Sequence, residues 1–182
     1  VLPQRDGSLF VPDWRGGVTR IRPYPGADGS QETWLARTPH DVRPNGIAML
    51  PDGSFLLANL GIAGGVWRLY RDGRLVPFVV EVDGTPLPPA NFVMIDSCDR
   101  TWISVSTRRN PRQDAWRPDV ADGFIVLKNA AGARVVADGL HYTNEVRPDP
   151  SGSWLYVVET FGRRLTRFPL SPDGTLGVRE TV

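Results

Sequence analysis

An Asn-led phrase returns three times along this 182-residue chain, at intervals that suit one repeating unit of sheet. Residues 43–59, which carry Asn45-Gly46-Ile47-Ala48 and then Pro51-Asp52-Gly53-Ser54, are echoed by residues 142–159, and residues 90–104 between them fit the same template. Asn45, Asn91 and Asn144 stand 46 and 53 residues apart, near the roughly 40–50-residue period of four-stranded propeller blades. Each copy then closes with a second hairpin, over 65–79, 123–136 and 163–182, and the opening run from Arg5 to Ile21 reads as the later part of a further copy. The expected fold is all-β, a β-propeller with about four blades present, because radially stacked sheets bury their faces against one another. A β-sandwich is the rival, but it gives no reason for one phrase to recur at blade spacing.

Local chemistry agrees. Eight Asp-Gly pairs punctuate the chain, at Asp6, Asp28, Asp52, Asp72, Asp83, Asp122, Asp138 and Asp173, and Asp-Gly between apolar runs marks a hairpin because its turn needs positive φ. Runs such as Ser54-Phe55-Leu56-Leu57-Ala58 and Trp154-Leu155-Tyr156-Val157-Val158 are strand-length, without the period of a helix. Gly and Pro are spread throughout rather than gathered in a linker, so residues 1–182 read as a single propeller domain. The chain starts at Val1 inside a strand motif, and the domain is expected to be incomplete at both ends.

Composition narrows the partners. Apolar residues at 41% with 23% charged describe a chain that packs a core. A net charge of +1 with no basic, aromatic-interleaved stripe argues against nucleic acid and against an anionic membrane surface. The single cysteine, Cys98, excludes an internal disulfide and a multi-thiolate zinc site. With no apolar run of roughly 18 residues and no leader pattern, the chain reads as soluble, leaning to the cytoplasm with the compartment otherwise open.

The familiar hydrolase elbow, zincin, phosphate-loop and calcium-hand patterns are absent. Of two histidines, His40 reads as a loop residue, whereas His141, three residues before Asn144, stands equally as loop residue or site residue. Innermost strands line a propeller's channel, so Asn45, Asn91 and Asn144, each just before an apolar strand, converge if the fold is right. Amide oxygens are hard ligands for calcium or magnesium, tolerated by zinc in mixed sites, while any one Asn alone is an ordinary turn residue. Asp13, Asp96 and Glu159 also draw attention, with Asp96 assigned to turn formation in its Asp-Ser-Cys-Asp run. Residues 108–119 are too polar and Pro-rich for a strand and are expected to form a long loop on one face, presenting Arg108 and Arg109 to substrate or to solvent.

These phrases, above all Gly139-Leu140 through Asn144 to Trp154-Leu155-Tyr156-Val157-Val158-Glu159-Thr160, resemble the SMP-30/gluconolactonase/luciferin-regenerating-enzyme family over nearly the whole chain. The Leu-Tyr-Val-x-Glu-Thr phrase also occurs in strictosidine-synthase-like propellers. The resemblance implies a six-bladed propeller with one divalent cation on its axis and, in the enzymes, hydrolysis of sugar or other lactones. It implies Asn144 as a metal ligand and Asn91 as a ligand of metal or substrate. Two further acidic ligands of the family would lie before Val1 and beyond Val182. Calcium is the first choice of cation, with zinc, magnesium or manganese as alternatives. Two departures bear on substrate class: Asn91 is followed by Phe92 where relatives often have Asp, and Asn144 by Glu145 in place of Gly. The expected function is metal-dependent lactone hydrolysis on a small-molecule lactone, with the catalytic base unassigned and Arg108, Arg109 and Asn91 as substrate contacts. Residues 1–182 alone are expected to be poorly active. The alternatives are a non-catalytic propeller that binds a ligand or partner, and a strictosidine-synthase-like enzyme.

Overall fold

The computed structural model describes residues 1–22, 30–38 and 41–182; the Asp28-Gly29 pair and His40 lie outside them. Four sheets of four antiparallel strands follow one another in chain order. Blade 1 holds β1 (Leu2–Pro3), β2 (Leu9–Asp13), β3 (Gly17–Ile21) and β4 (Gln31–Leu35). Blade 2 holds β5 (Pro44–Met49), β6 (Phe55–Asn59), β7 (Val66–Leu69) and β8 (Leu75–Val79). A small hairpin, β9 (Glu81–Val82) and β10 (Thr85–Pro86), leads into blade 3, formed by β11 (Ala90–Ile95), β12 (Thr101–Val105), β13 (Gly123–Asn129) and β14 (Gly132–Leu140). Blade 4 holds β15 (Thr143–Pro148), β16 (Trp154–Glu159), β17 (Arg164–Pro169) and β18 (Glu180–Thr181). The expected four blades are present, and the opening segment forms a sheet of its own with a two-residue first strand.

The turns between first and second strands show why the sequence closes as it does. In blade 2 the Asp52 carboxylate accepts from the Ser54 backbone N–H at 3.1 Å and its hydroxyl at 2.6 Å, and Gly53 takes φ 81°. Arg68 on β7 then grips Asp52 and Ser54 from the neighbouring strand. Blade 1 repeats the device with Asp6, Ser8 and Arg20. In blade 3 Asp96 accepts from the Cys98 and Arg100 N–H groups, the Arg100 guanidinium and the Trp102 indole, which is the turn role expected of it.

Two Asp-Gly pairs do something else. Asp122-Gly123 opens β13, where a Cβ on Gly123 would stand 2.5 Å from the Thr143 hydroxyl, so close packing between blades explains the glycine. Asp138-Gly139 lies within β14, near a shift in its register with β13.

The cores lie between blades. Every residue of β6 is buried, with Phe55 and Leu57 facing blade 1 and Leu56 and Ala58 facing blade 3, the period-2 alternation of a strand covered on both sides. In blade 3, Ile103, Val105, Phe124 and Val126 face blade 2, while Trp102, Ile125 and Leu127 pack with Val146, Leu155, Val157 and Phe168 of blade 4. The far faces of the outer blades are open: Leu9, Ile21 and Leu35 of blade 1 and Val158 and Leu165 of blade 4 are exposed.

Candidate functional site

The first strands of blades 2, 3 and 4 lie side by side, β5 against β11 and β11 against β15. Their approach is close: a Cβ on Gly46 would stand 2.6 Å from the Phe92 Cα. Each strand begins with the same register. Pro44 pairs with Asn59, Ala90 with Val105 and Thr143 with Glu159, and in all three the ladder then shifts at the Asn that follows. Such an irregularity turns a side chain out of the pleat. Here it links each amide to the next blade: Asn45 Nδ2 donates to the backbone carbonyl of Asn91 at 2.8 Å, and Asn91 Nδ2 donates to the backbone carbonyl of Asn144 at 3.0 Å and to its Oδ1 at 2.7 Å. Ser104 and Ser106 hydroxyls secure the Asn144 and Thr143 carbonyls from blade 3. The convergence expected of Asn45, Asn91 and Asn144 is thus in place. Along the same strands, Ile47–Met49, Phe92–Ile95, Arg147 and the opening residues Val1–Gln4 line an axial cavity of about 220 Å³.

Among the described residues no donor reaches Oδ1 of Asn45 or of Asn91, so these hard oxygens suit a divalent cation in kind. They bring no charge. No three of His, Cys, Asp and Glu come together among the described residues, and Glu145 turns to Arg147, whose Nε donates to it at 2.8 Å. The amides therefore fit the neutral part of a coordination shell.

The 108–119 loop lies at the end of the blades that carries the three Asn, with a short 3-10 turn at Arg112–Ala115. Arg108 anchors its base: the guanidinium forks onto Asp138 at 2.8 Å for each bond, reaches the Asp122 carbonyl at 2.6 Å and stacks over Phe124. Burial works against ionisation of Asp138, yet this fork and the Gly139 N–H hold its carboxyl below the usual range. Arg109 stands 3.8 Å from Asp122 and borders a different cavity with Pro89 and Arg112. Beneath the loop, the Tyr142 hydroxyl accepts from Arg112 Nε at 2.9 Å and from the Trp116 indole at 2.8 Å. Tyr142 takes φ 63°, a left-handed conformation costly for an aromatic residue. Arg112 and Tyr142 were not among the residues the sequence singled out.

His141 and Glu159 form a separate group. Glu159 is wholly buried and accepts from the His141 N–H at 2.7 Å, the Arg164 guanidinium at 2.9 and 3.0 Å and the Thr166 hydroxyl at 2.5 Å, with the His141 ring 3.1 Å away. Burial alone would raise its pKa, but these donors outweigh it and lower it from 4.5 to about 2. This group joins the blade 3–4 connection to the corner of β16 and β17 and does not touch the three amides.

Four-stranded blades stacked about converging first strands, with an arc of amides at one end, are the architecture of a β-propeller. Residues 4–182 match the SMP-30/Gluconolactonase/LRE-like region, and the chain belongs to that family. No curated protein matches it. Among solved structures, it is similar to a gluconolactonase from Xanthomonas campestris, with TM-score 0.75 and 22% identity over 97% of this chain and 58% of that one. A calcium-binding regucalcin from Agrobacterium tumefaciens gives 0.69 and 18%, over 97% and 55%. Virginiamycin B lyase from Staphylococcus aureus gives 0.67 and 14%, over 100% and 54%. At these identities the likeness is one of fold, and the chain spans somewhat more than half the length of each.

Proposed function

We propose that the full-length protein hydrolyses a small-molecule lactone in a divalent-cation-dependent reaction at the Asn-bearing end of its propeller axis. The observation that carries this reading is the blade-to-blade chain of amides, Asn45 to Asn91 to Asn144, set by the same register shift in three successive blades. Membership of a family that includes gluconolactonases supports the reaction class.

In this reading the chain supplies one side of the site. Asn91 offers a donor-free amide oxygen to the cation and Asn144 the lone pair that its bond from Asn91 Nδ2 leaves open, calcium being the first choice by ligand type. A bound divalent cation supplies Lewis acidity toward a carbonyl oxygen or a water. Asn91, buried and fixed by its own Nδ2 bonds to Asn144, keeps its Oδ1 available to the cation or to a substrate hydroxyl. Arg109, in a long ion pair with Asp122, stands half-exposed where it can meet substrate at the edge of the site, and Arg108 holds the loop that carries it. We infer further that residues 1–182 are four consecutive blades of one longer, six-bladed propeller domain, which the exposed apolar faces of blades 1 and 4 and the greater length of the structural neighbours support. The acidic ligands and the general base then belong to the remaining blades.

Acid release at fixed pH from glucono-lactones, measured with the full-length protein, tests the reading. Turnover that a chelator stops and calcium, magnesium, manganese or zinc restores is the expected result. Turnover indifferent to chelator removes the cation from the reading. A folded protein without turnover favours a propeller that only binds.

A further inference from the structure

A second, smaller cavity borders the amide site. It measures about 150 Å³ and is lined by Leu60, Ile62, Pro89, Arg109, Pro111 and Arg112 among others. Its position is tied to the site at two points. Pro89 lies two residues before Asn91, and the Leu60 N–H donates to the carbonyl of Arg43, two residues before Asn45. Its walls carry two guanidinium groups and no carboxylate.

Arg112 is the better held of the two. Its Nε is fixed on the Tyr142 hydroxyl at 2.9 Å, its Nη2 reaches Ser106 Oγ at 3.4 Å, and no carboxylate of the described residues pairs with it. Ser106 in turn donates to the carbonyl of Thr143, the residue before Asn144. The guanidinium therefore sits two hydrogen bonds from the amide site, half-buried, with Nη1 uncommitted. Tyr142, left-handed in the tight link between β14 and β15, holds both the Arg112 guanidinium and the Trp116 indole on its hydroxyl. A guanidinium held at Nε, without a counter-ion and at the wall of a cavity, is set up to take a carboxylate.

We propose that Arg112, with Arg109 beside it, selects lactones that carry a carboxylate, and that Tyr142 is its positioning residue. This rests on the lactonase reading of the neighbouring amide site. Glucaro-1,4-lactone and glucono-1,4-lactone test it, since they share a ring and differ by a carboxylate on the side chain. The full-length protein is expected to favour the former in kcat/KM. Arg112→Gln should lower the ratio of the two kcat/KM values about tenfold, mainly through KM for the anionic lactone, and Arg112→Lys should restore part of it. Tyr142→Phe, which keeps the ring against Phe161, should lower the ratio in the same direction. A preference for the neutral lactone, or a ratio unmoved by Arg112→Gln, overturns the inference while leaving the lactonase reading intact. If neither lactone is turned over, the lactonase reading falls, and calorimetric titration of glucaro-1,4-lactone decides the subsite. Binding weakened by Arg112→Gln sustains it, and binding that is absent or insensitive to the variant ends it.

Discussion

Glu159 shows how a residue with the chemistry of a catalyst can be structural. It is buried at the end of β16, and Arg164 and Thr166 on β17 close over it. Asp13 at the end of β2 repeats the pattern in blade 1, where Arg15 and Thr19 donate to it. The Glu-Thr phrase is thus a blade corner in this chain. Because the pKa of Glu159 is lowered from 4.5 to about 2, its ionisation stabilises the fold above about pH 4.5, and that contribution is lost as pH falls from there through about 2. Glu159→Gln leaves Arg164 without its counter-ion and should cost about 3 kcal/mol at neutral pH. Urea denaturation of both proteins checks this: the gap should narrow by about pH 3, and an unchanged gap would remove the charge from the account. The phase of Asn45, Asn91 and Asn144 was legible in the sequence because it depends on repeat spacing alone. Arg112 and Tyr142 were not, since their meeting depends on a left-handed φ and on contacts across 30 residues of chain.

At the scale of elements, the hairpins were legible wherever Asp-Gly stands between apolar runs, as at Asp6, Asp52 and Asp72. Asp122-Gly123 misled because its glycine answers to the neighbouring blade and not to a turn. The same pressure acts on Gly46, which sits where β5 meets β11. Ala there would place a Cβ 2.6 Å from the Phe92 backbone, and backbone cannot swing away as a side chain does. Gly46→Ala should therefore destabilise by about 2 kcal/mol or more, read as a lowered denaturation midpoint, and should disturb the Asn45–Asn91 bond beside it. A midpoint equal to wild type would mean that β5 and β11 separate easily, and the precise convergence of the amides would lose its basis.

For the whole molecule, the alternating burial of β6, β12 and β13 makes blades 2 and 3 the interior of the stack, with blades 1 and 4 each offering an apolar face. Repeat spacing carried this architecture in advance, because each blade is defined by local turns and buried only by its neighbours. What the spacing leaves out is chemistry that needs other blades: the three amides supply oxygen without charge. The central claim is that these amides form one side of a working site rather than a structural seam. Lactone turnover by the full-length protein with Asn144→Ala, followed over a calcium titration, tests it most directly. The account predicts a fall in kcat/KM of about a hundredfold or more, with a higher calcium concentration needed for half-maximal rate, in a protein whose denaturation midpoint stays close to wild type. Undiminished turnover with the same calcium requirement would contradict it.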